Sequence, residues 1–187
     1  MAQDHVFGYG SLVNRATHAL SAAVPARLDG WRRVWVATGF RPVAVLSVEP
    51  APVAIEGLLA EVAASDWPGL DWRERSYDRL QVTATRLACG GPAPAQIYAV
   101  PRKLGTPQGS RHRLLLSYID TVVQGFLETF GEAGAQRFFA TTAGWQIPVL
   151  NDRAAPRYLN HRALTRWQQD FVDSELAART PRIERAR

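Results

Sequence analysis

The chain has 187 residues, 47% hydrophobic and 21% charged, an ordinary globular composition with enough length to bury a real core. Its apolar runs are short and broken by Pro, Gly or charge, which excludes a bilayer-spanning helix, and its single cysteine, Cys89, excludes an intramolecular disulfide and points to a reducing, cytoplasmic setting. Net charge is +5 from 22 basic and 17 acidic residues, with Lys103 the only lysine; so strong an arginine bias, spread along the chain, reads as codon pressure in a GC-rich bacterial genome rather than as a nucleic-acid-binding patch.

Met1 to His5 has no basic region followed by an apolar one and does not read as a secretory signal. Residues 5–9 read as a first strand that runs into Gly8-Tyr9-Gly10-Ser11-Leu12. Paired glycines there predict a tight turn whose backbone a ligand can approach closely, with N–H groups able to form a small anion-binding nest. Residues 10–24 read as loop with one helical turn, broken by Pro25, and 27–40 as strand or extended hairpin. Two further strands, 43–48 and 54–62, are expected to form a hairpin about Pro50-Ala51-Pro52. Ser65-Asp66-Trp67-Pro68 predicts the start of a short helix reaching about Arg75. Strands at 78–87 and 95–100 follow, joined by a turn at 89–94.

Beyond a loop at 101–109 the pattern turns helical. Ser110 is a candidate cap for a helix to Phe130, with Leu115, Tyr118, Ile119, Val122, Phe126 and Phe130 at helical spacing and Gly131 as its stop. A second helix is expected at 132–142, an extended stretch at 145–150 and a last helix at 161–178, before a basic tail. Strands first and helices last predict α+β, with helices packed on one side of a curved antiparallel or mixed sheet. The expected division is a β-barrel core at 1–109 and a C-terminal helical extension at 110–187, packed as one compact unit.

His5, His18, His112 and His161 are scattered and Cys89 has no partner, so no metal-ligand spacing is present. Ser11 lacks the second glycine of a nucleophile elbow, and the glycine pair matches neither a P-loop nor a dinucleotide fingerprint. Glu74 is the informative acid. A helix through 67–77 would put Leu70, Arg73, Glu74 and Tyr77 on one face. Partial burial would raise the Glu74 pKa toward that of a usable general base, and a neighbouring arginine would oppose the rise. The spacing alone favours the other reading, a solvated surface glutamate paired with Arg75 or in the surroundings of Asp78. Trp31 and Trp35 read as sheet packing. Trp145 and Tyr158, beside Asn151-Asp152-Arg153, read either as pocket lining or as a loop packed on the barrel.

Val6-Phe7-Gly8-Tyr9-Gly10-Ser11-Leu12 resembles the γ-glutamylcyclotransferase superfamily, and within it the glutathione-specific, ChaC-like branch with its Tyr-Gly-Ser-Leu motif. Arg73-Glu74-Arg75-Ser76-Tyr77 is similar to that branch's Arg-Glu-x-x-Tyr segment. Leu28 to Arg33 resembles its Leu-x-Gly-Trp-x-Arg strand, and Gln96 to Val100 its last barrel strand. Residues 110–187 match no such pattern, and the segment after Tyr98 lacks the Asn-x-x-Tyr loop associated with glutathione. The resemblance implies a curved mixed sheet or small barrel and a cofactor-independent enzyme. Its substrate would be a γ-glutamyl peptide or amine whose own α-amine attacks the γ-carbonyl, releasing 5-oxoproline. It further implies Glu74 as catalytic base and Tyr9, Gly10, Ser11, Leu12 and Tyr98 as substrate-binding residues, with a small molecule rather than nucleic acid or membrane as partner. A catalytically silent binding module on the same fold, or a basic nucleic-acid binder, are the alternative readings.

Overall fold

The computed structural model describes residues 4–39, 42–105, 111–180 and 182–185. In chain order its elements are β1 (Asp4–Gly8), β2 (Ser21–Val36), β3 (Val45–Val62), α1 (Trp67–Arg73), β4 (Asp78–Arg86), β5 (Pro92–Ala99), β6 (Leu114–Leu115), α2 (Leu116–Thr141), β7 (Thr142–Ala143), β8 (Val149–Asn151), α3 (Arg166–Ala177) and β9 (Ile183–Arg185). Five strands run in the order β3-β1-β5-β4-β2, and β2 pairs again with β3, closing a small barrel. Every pairing in it is antiparallel except β1 with β5. The short β7 lies parallel on β2 outside the ring, and β6, β8 and β9 form a separate parallel sheet.

One apolar cluster runs from the barrel into the helices. Phe7, Leu28, Ile55, Leu59 and Ile97 come from strands, Leu116, Ile119, Val122, Phe126 and Phe138 from α2, and Val172 and Leu176 from α3; all are essentially inaccessible to water. Helix α2 therefore has its apolar stripe in the same core as the sheet, and its first turn lies over the end of the barrel where β1 stops. The α+β barrel with packed helices expected from the sequence is the architecture observed.

Two expected breaks are absent. β3 is one continuous strand through Pro50 and Pro52 instead of a hairpin. Its partner β2 is bulged at the matching place: the register jumps between Asp29 and Trp31, around Gly30 at φ +80°. Prolines that cannot donate to a ladder are tolerated where the ladder is already interrupted. Pro25 likewise lies inside β2, just past a second register shift between Ser21 and Val24. Local punctuation lost to long-range pairing in both cases.

The helical half follows the expected spacing more closely. α2 changes direction at Gly131, whose φ of +67° and ψ of −172° are non-helical, so the expected stop and restart is a break within one long element. The Ser110 cap lies outside the described residues. α3 starts at Arg166, later than expected, because Thr165 and Gln168 form a reciprocal capping box there. No helix among the described residues is long and apolar enough to cross a membrane.

Candidate active site

After β1 the chain turns through Tyr9 and Gly10 into two short 3-10 turns, Ser11–Val13 and Arg15–Thr17. The carbonyls of Tyr9 to Leu12 all have partners. Arg33 Nε donates to Tyr9 O at 2.9 Å, Val13 N–H to Gly10 O at 2.9 Å, and Thr17 Oγ1 to Ser11 O at 2.8 Å. His18 Nδ1 accepts the Leu20 N–H at 3.1 Å, which assigns the ring proton to Nε2 and lets it donate to Leu12 O at 2.9 Å. Burial lowers the His18 pKa, in keeping with a neutral ring. Because a trans peptide points its N–H away from its C=O, these anchors turn the Gly10, Ser11 and Leu12 amides away from their carbonyl partners. The fully buried Asn14 pins the segment to α2, donating from Nδ2 to Thr121 O and Gln124 Oε1, both at 2.9 Å.

Glu74 comes from the opposite side. α1 ends one residue before it, and Glu74 is the C-cap residue, its N–H on Leu70 O at 2.9 Å. The helix is thus two residues shorter than expected, within the usual fraying of helix ends. A turn closed by Tyr77 N–H to Glu74 O at 2.8 Å still keeps Tyr77 beside the carboxyl. Only 19% of the Glu74 side chain is exposed, and its Oε1 lies 3.2 Å from Arg73 Nε. Burial raises the Glu74 pKa, while the charge and hydrogen bond of Arg73 pull it down by less. The ion-pair partner is Arg73 rather than Arg75, whose guanidinium instead covers the Trp72 ring at 5.0 Å. Arg73 also reaches Ser11 Oγ and Thr17 O, each at 3.3 Å, so one guanidinium links the acid to the glycine turn.

These two walls enclose a cavity of about 50 Å³. The catalytic and substrate-binding residues that the resemblance implies, Glu74, Tyr9, Gly10, Ser11, Leu12 and Tyr98, all line it; of the other two candidates for pocket lining, Tyr158 lines a neighbouring outer cleft and Trp145 is buried in the core. Duties differ among the residues of the inner wall. The Tyr9 hydroxyl donates to Tyr98 O at 2.6 Å and that of Tyr98 to Asp71 Oδ1 at 2.6 Å; both side chains serve as struts as well as walls. Ser11 Oγ is held by Arg73, and among the described residues no histidine hydrogen-bonds to it as a base would. Phe7, Gly8, Leu46, Tyr118 and Tyr77, tied to Leu46 O at 3.1 Å, complete the lining. Burial raises the Tyr118 pKa well above the usual phenol value, and the Ser11 backbone amide beside its hydroxyl acts weakly in the other direction. Sequence reasoning missed Tyr118 as a site residue because it fits the apolar stripe of α2. A tyrosine on a buried helix face needs a partner for its hydroxyl, and that need was the available signal. The inner cavity opens into an outer cleft of about 510 Å³, with Ser11, Glu74, Tyr77 and Tyr118 shared between the two.

The close approach of Tyr118 explains Gly10. A Cβ there would stand 2.7 Å from the Tyr118 hydroxyl oxygen and 3.3 Å from Leu46 Cδ2. Tyr118 cannot swing away freely, being packed edge-on against Trp35 and Tyr158 at 5.8 and 5.0 Å between ring centres. Gly10→Ala is therefore expected to destabilise the protein by ~1–3 kcal/mol, as overpacking does. The double variant with Tyr118→Phe should recover part of that loss in urea unfolding. Additive losses would show that the two residues do not collide.

Among the described residues no cluster of three His, Cys, Asp or Glu side chains is placed to hold a metal ion. No curated protein matches the chain. Solved structures do, at the level of fold. An uncharacterized protein from Homo sapiens superposes with a TM-score of 0.59 and 14% identity, covering 90% of this chain and 97% of its own. A gamma-glutamyl cyclotransferase superposes equally well, TM-score 0.59 and 13% identity, over 92% of this chain and 99% of its own. A gamma-glutamyl cyclotransferase from yeast specific to glutathione covers 97% and 98%, with a TM-score of 0.50 and 12% identity. The family model for gamma-glutamyl cyclotransferase, AIG2-like proteins matches residues 6–117, which takes in the glycine turn, the barrel, Glu74 and the start of α2. By that match the chain belongs to the gamma-glutamyl cyclotransferase, AIG2-like family.

Proposed function

We propose that the protein is a γ-glutamylcyclotransferase that releases 5-oxoproline from a γ-glutamyl peptide or amine, with Glu74 as its proton carrier. The observation that carries this reading is the joining of Glu74 to the glycine turn in one small cavity, at a carboxyl whose pKa burial raises.

Such a reaction asks little covalent chemistry of the protein. Glu74 takes a proton from the substrate's α-ammonium, and the freed amine nitrogen attacks the γ-carbonyl carbon, closing a five-membered ring. Backbone amides of Gly10 to Leu12, with the protonated Tyr118 hydroxyl beside them, stand where the oxyanion develops. Glu74 gives its proton to the leaving nitrogen as the bond to it breaks. The ring nitrogen, cationic since the attack, gives its extra proton back to the Glu74 carboxylate or to the departing amine, leaving the 5-oxoproline nitrogen neutral with one hydrogen. Holding nucleophile and carbonyl in contact can supply roughly 7–11 kcal/mol of the barrier in favourable cases. The division assigns the γ-glutamyl end to the smaller inner cavity, beside Glu74 and the glycine turn, and the leaving group to the larger outer cleft.

Within the superfamily we place the chain nearest the ChaC-like branch, on its Tyr-Gly-Ser-Leu and Arg-Glu-x-x-Tyr segments. Residues 110–187 then form an extension whose helix α2 supplies Tyr118 to an inner cavity otherwise lined from within 1–109. A small-molecule partner also agrees with the arginines, many of which are neutralised in place: Arg32 by Glu49, Arg113 by Glu184, Arg137 by Glu56, and Arg153 by Asp120 and Asp173. Incubation of the purified protein with glutathione, γ-glutamyl dipeptides and γ-glutamylamines, without added metal, should release 5-oxoproline from at least one class by mass spectrometry. Silence across all three, with tight partner capture instead, would favour a binding module.

A further inference from the structure

The outer cleft is walled on its far side by Arg157, Tyr158, Leu159 and Asn160, which lie beyond the end of the family match. This segment is built into the site rather than draped over it. The buried Asp152 carboxylate accepts the Ser117 N–H at 2.8 Å and Ser117 Oγ at 2.6 Å at the start of α2, and the Arg157 N–H at 2.9 Å. Tyr158 N–H adds a bond to Ser117 Oγ at 3.3 Å, and its ring packs on Tyr118. One carboxylate therefore fixes Arg157 and Tyr158 to the same helical turn that carries Tyr118 into the inner cavity.

The cleft's charge is lopsided. Three arginines, Arg73, Arg75 and Arg157, line it together with one acid, Glu74. Arg73 is engaged by Glu74, Ser11 and Thr17, and Arg75 by the Trp72 carbonyl and ring. The Arg157 side chain makes no hydrogen bond or ion pair among the described residues. The remaining wall is largely apolar, from Val43, Val45 and Leu115 to Leu159, which is 94% exposed.

We infer that Arg157 is a specificity-determining residue that receives a carboxylate on the leaving group, so that the preferred substrates are γ-glutamyl derivatives of apolar amino acids or peptides with a free carboxylate, and not γ-glutamylamines with cationic tails. The inference rests on the cyclotransferase reading above and adds to it what leaves. An available guanidinium forms its strongest hydrogen bonds with a carboxylate, whereas a cationic tail would enter a site already carrying three like charges.

The test compares γ-glutamyl-phenylalanine, its neutral C-terminal amide and γ-glutamyl-putrescine, in turnover by the parent enzyme and in calorimetric binding to Glu74→Gln. Expected is a preference of tenfold or more for the acid over the amide, larger still over putrescine, in both KM and Kd. Arg157→Ala should bring the acid-to-amide ratio close to one, and Arg157→Lys should restore most of it. Equal binding of acid and amide, or a ratio that Arg157→Ala leaves in place, overturns the inference. Arg157-dependent preference in binding without any release of 5-oxoproline would uphold the carboxylate site and overturn the cyclotransferase reading instead.

Discussion

Glu74→Gln should abolish most turnover while leaving the fold intact. If the carboxyl is the proton carrier, its loss removes general acid–base catalysis at both the attack and the departure step, worth ~10²–10⁴-fold in kcat. KM should change little, because glutamine keeps the shape of the wall. The raised pKa adds a second signature. An acid whose folded pKa lies above its unfolded value favours the folded state fully below the unfolded pKa, and that contribution is lost as pH rises through the folded value. Ionised Glu74 is thus a cost at neutral pH, partly offset by Arg73. Glutamine carries no such cost, so the variant should be at least as stable as its parent at pH 7 and gain on it as pH climbs above the ordinary carboxylate range. In the parent, the rising limb of kcat/KM against pH should lie above the ordinary carboxylate range of about 4.3. Full activity in Glu74→Gln would remove the residue from its role; lost activity with a parallel loss of stability would make it structural.

How much of this was legible in the sequence depends on range. Glycine and serine at 8–11 signal their turn by themselves, and the Glu74–Tyr77 spacing brings those two together even though the helix stops at Arg73 and a turn completes the geometry. What joins Glu74 to Ser11 is a contact across 62 positions through Arg73, and no local pattern encodes it; the resemblance to a family supplied that pairing. Prolines misled for the same reason. Pro50 and Pro52 look like a hairpin locally, yet they fall opposite a bulge in a strand nearly 20 positions earlier. Tyr118, Asp152 and Arg157 stayed hidden because a tyrosine in an apolar stripe and an acid in a loop look ordinary until the helix end that unites them is known.

Arg33 offers the largest expected effect on stability. It is 1% exposed, the rarest setting for an arginine, and burial pushes its pKa down to about 9, leaving it cationic at neutral pH. All three guanidinium nitrogens donate to the site's scaffold: Nε to Tyr9 O, Nη2 to Glu56 O and Nη1 to Thr141 Oγ1 at 3.2 Å, with the Phe126 and Phe138 rings 4.8 and 5.3 Å from its centre. It therefore ties β1's turn, β3 and the end of α2 to a single rigid fork on β2. Arg33→Met fills similar space but strands the Tyr9 and Glu56 carbonyls, and two unsatisfied buried acceptors at ~1–3 kcal/mol each imply a loss of about 3 kcal/mol or more. For a chain of this size that is a fall of roughly 6–12 °C in Tm. Arg33→Lys should fall in between, because an ammonium on a shorter reach cannot serve three acceptors in one plane. Since Tyr9 O is one of those acceptors, kcat/KM should drop in both variants even at temperatures where they remain folded. A Tm within 2 °C of the parent for Arg33→Met would mean that neighbouring groups or water satisfy both carbonyls, and that the turn's other anchors, Asn14, Thr17, His18 and Arg73 among them, hold it without Arg33.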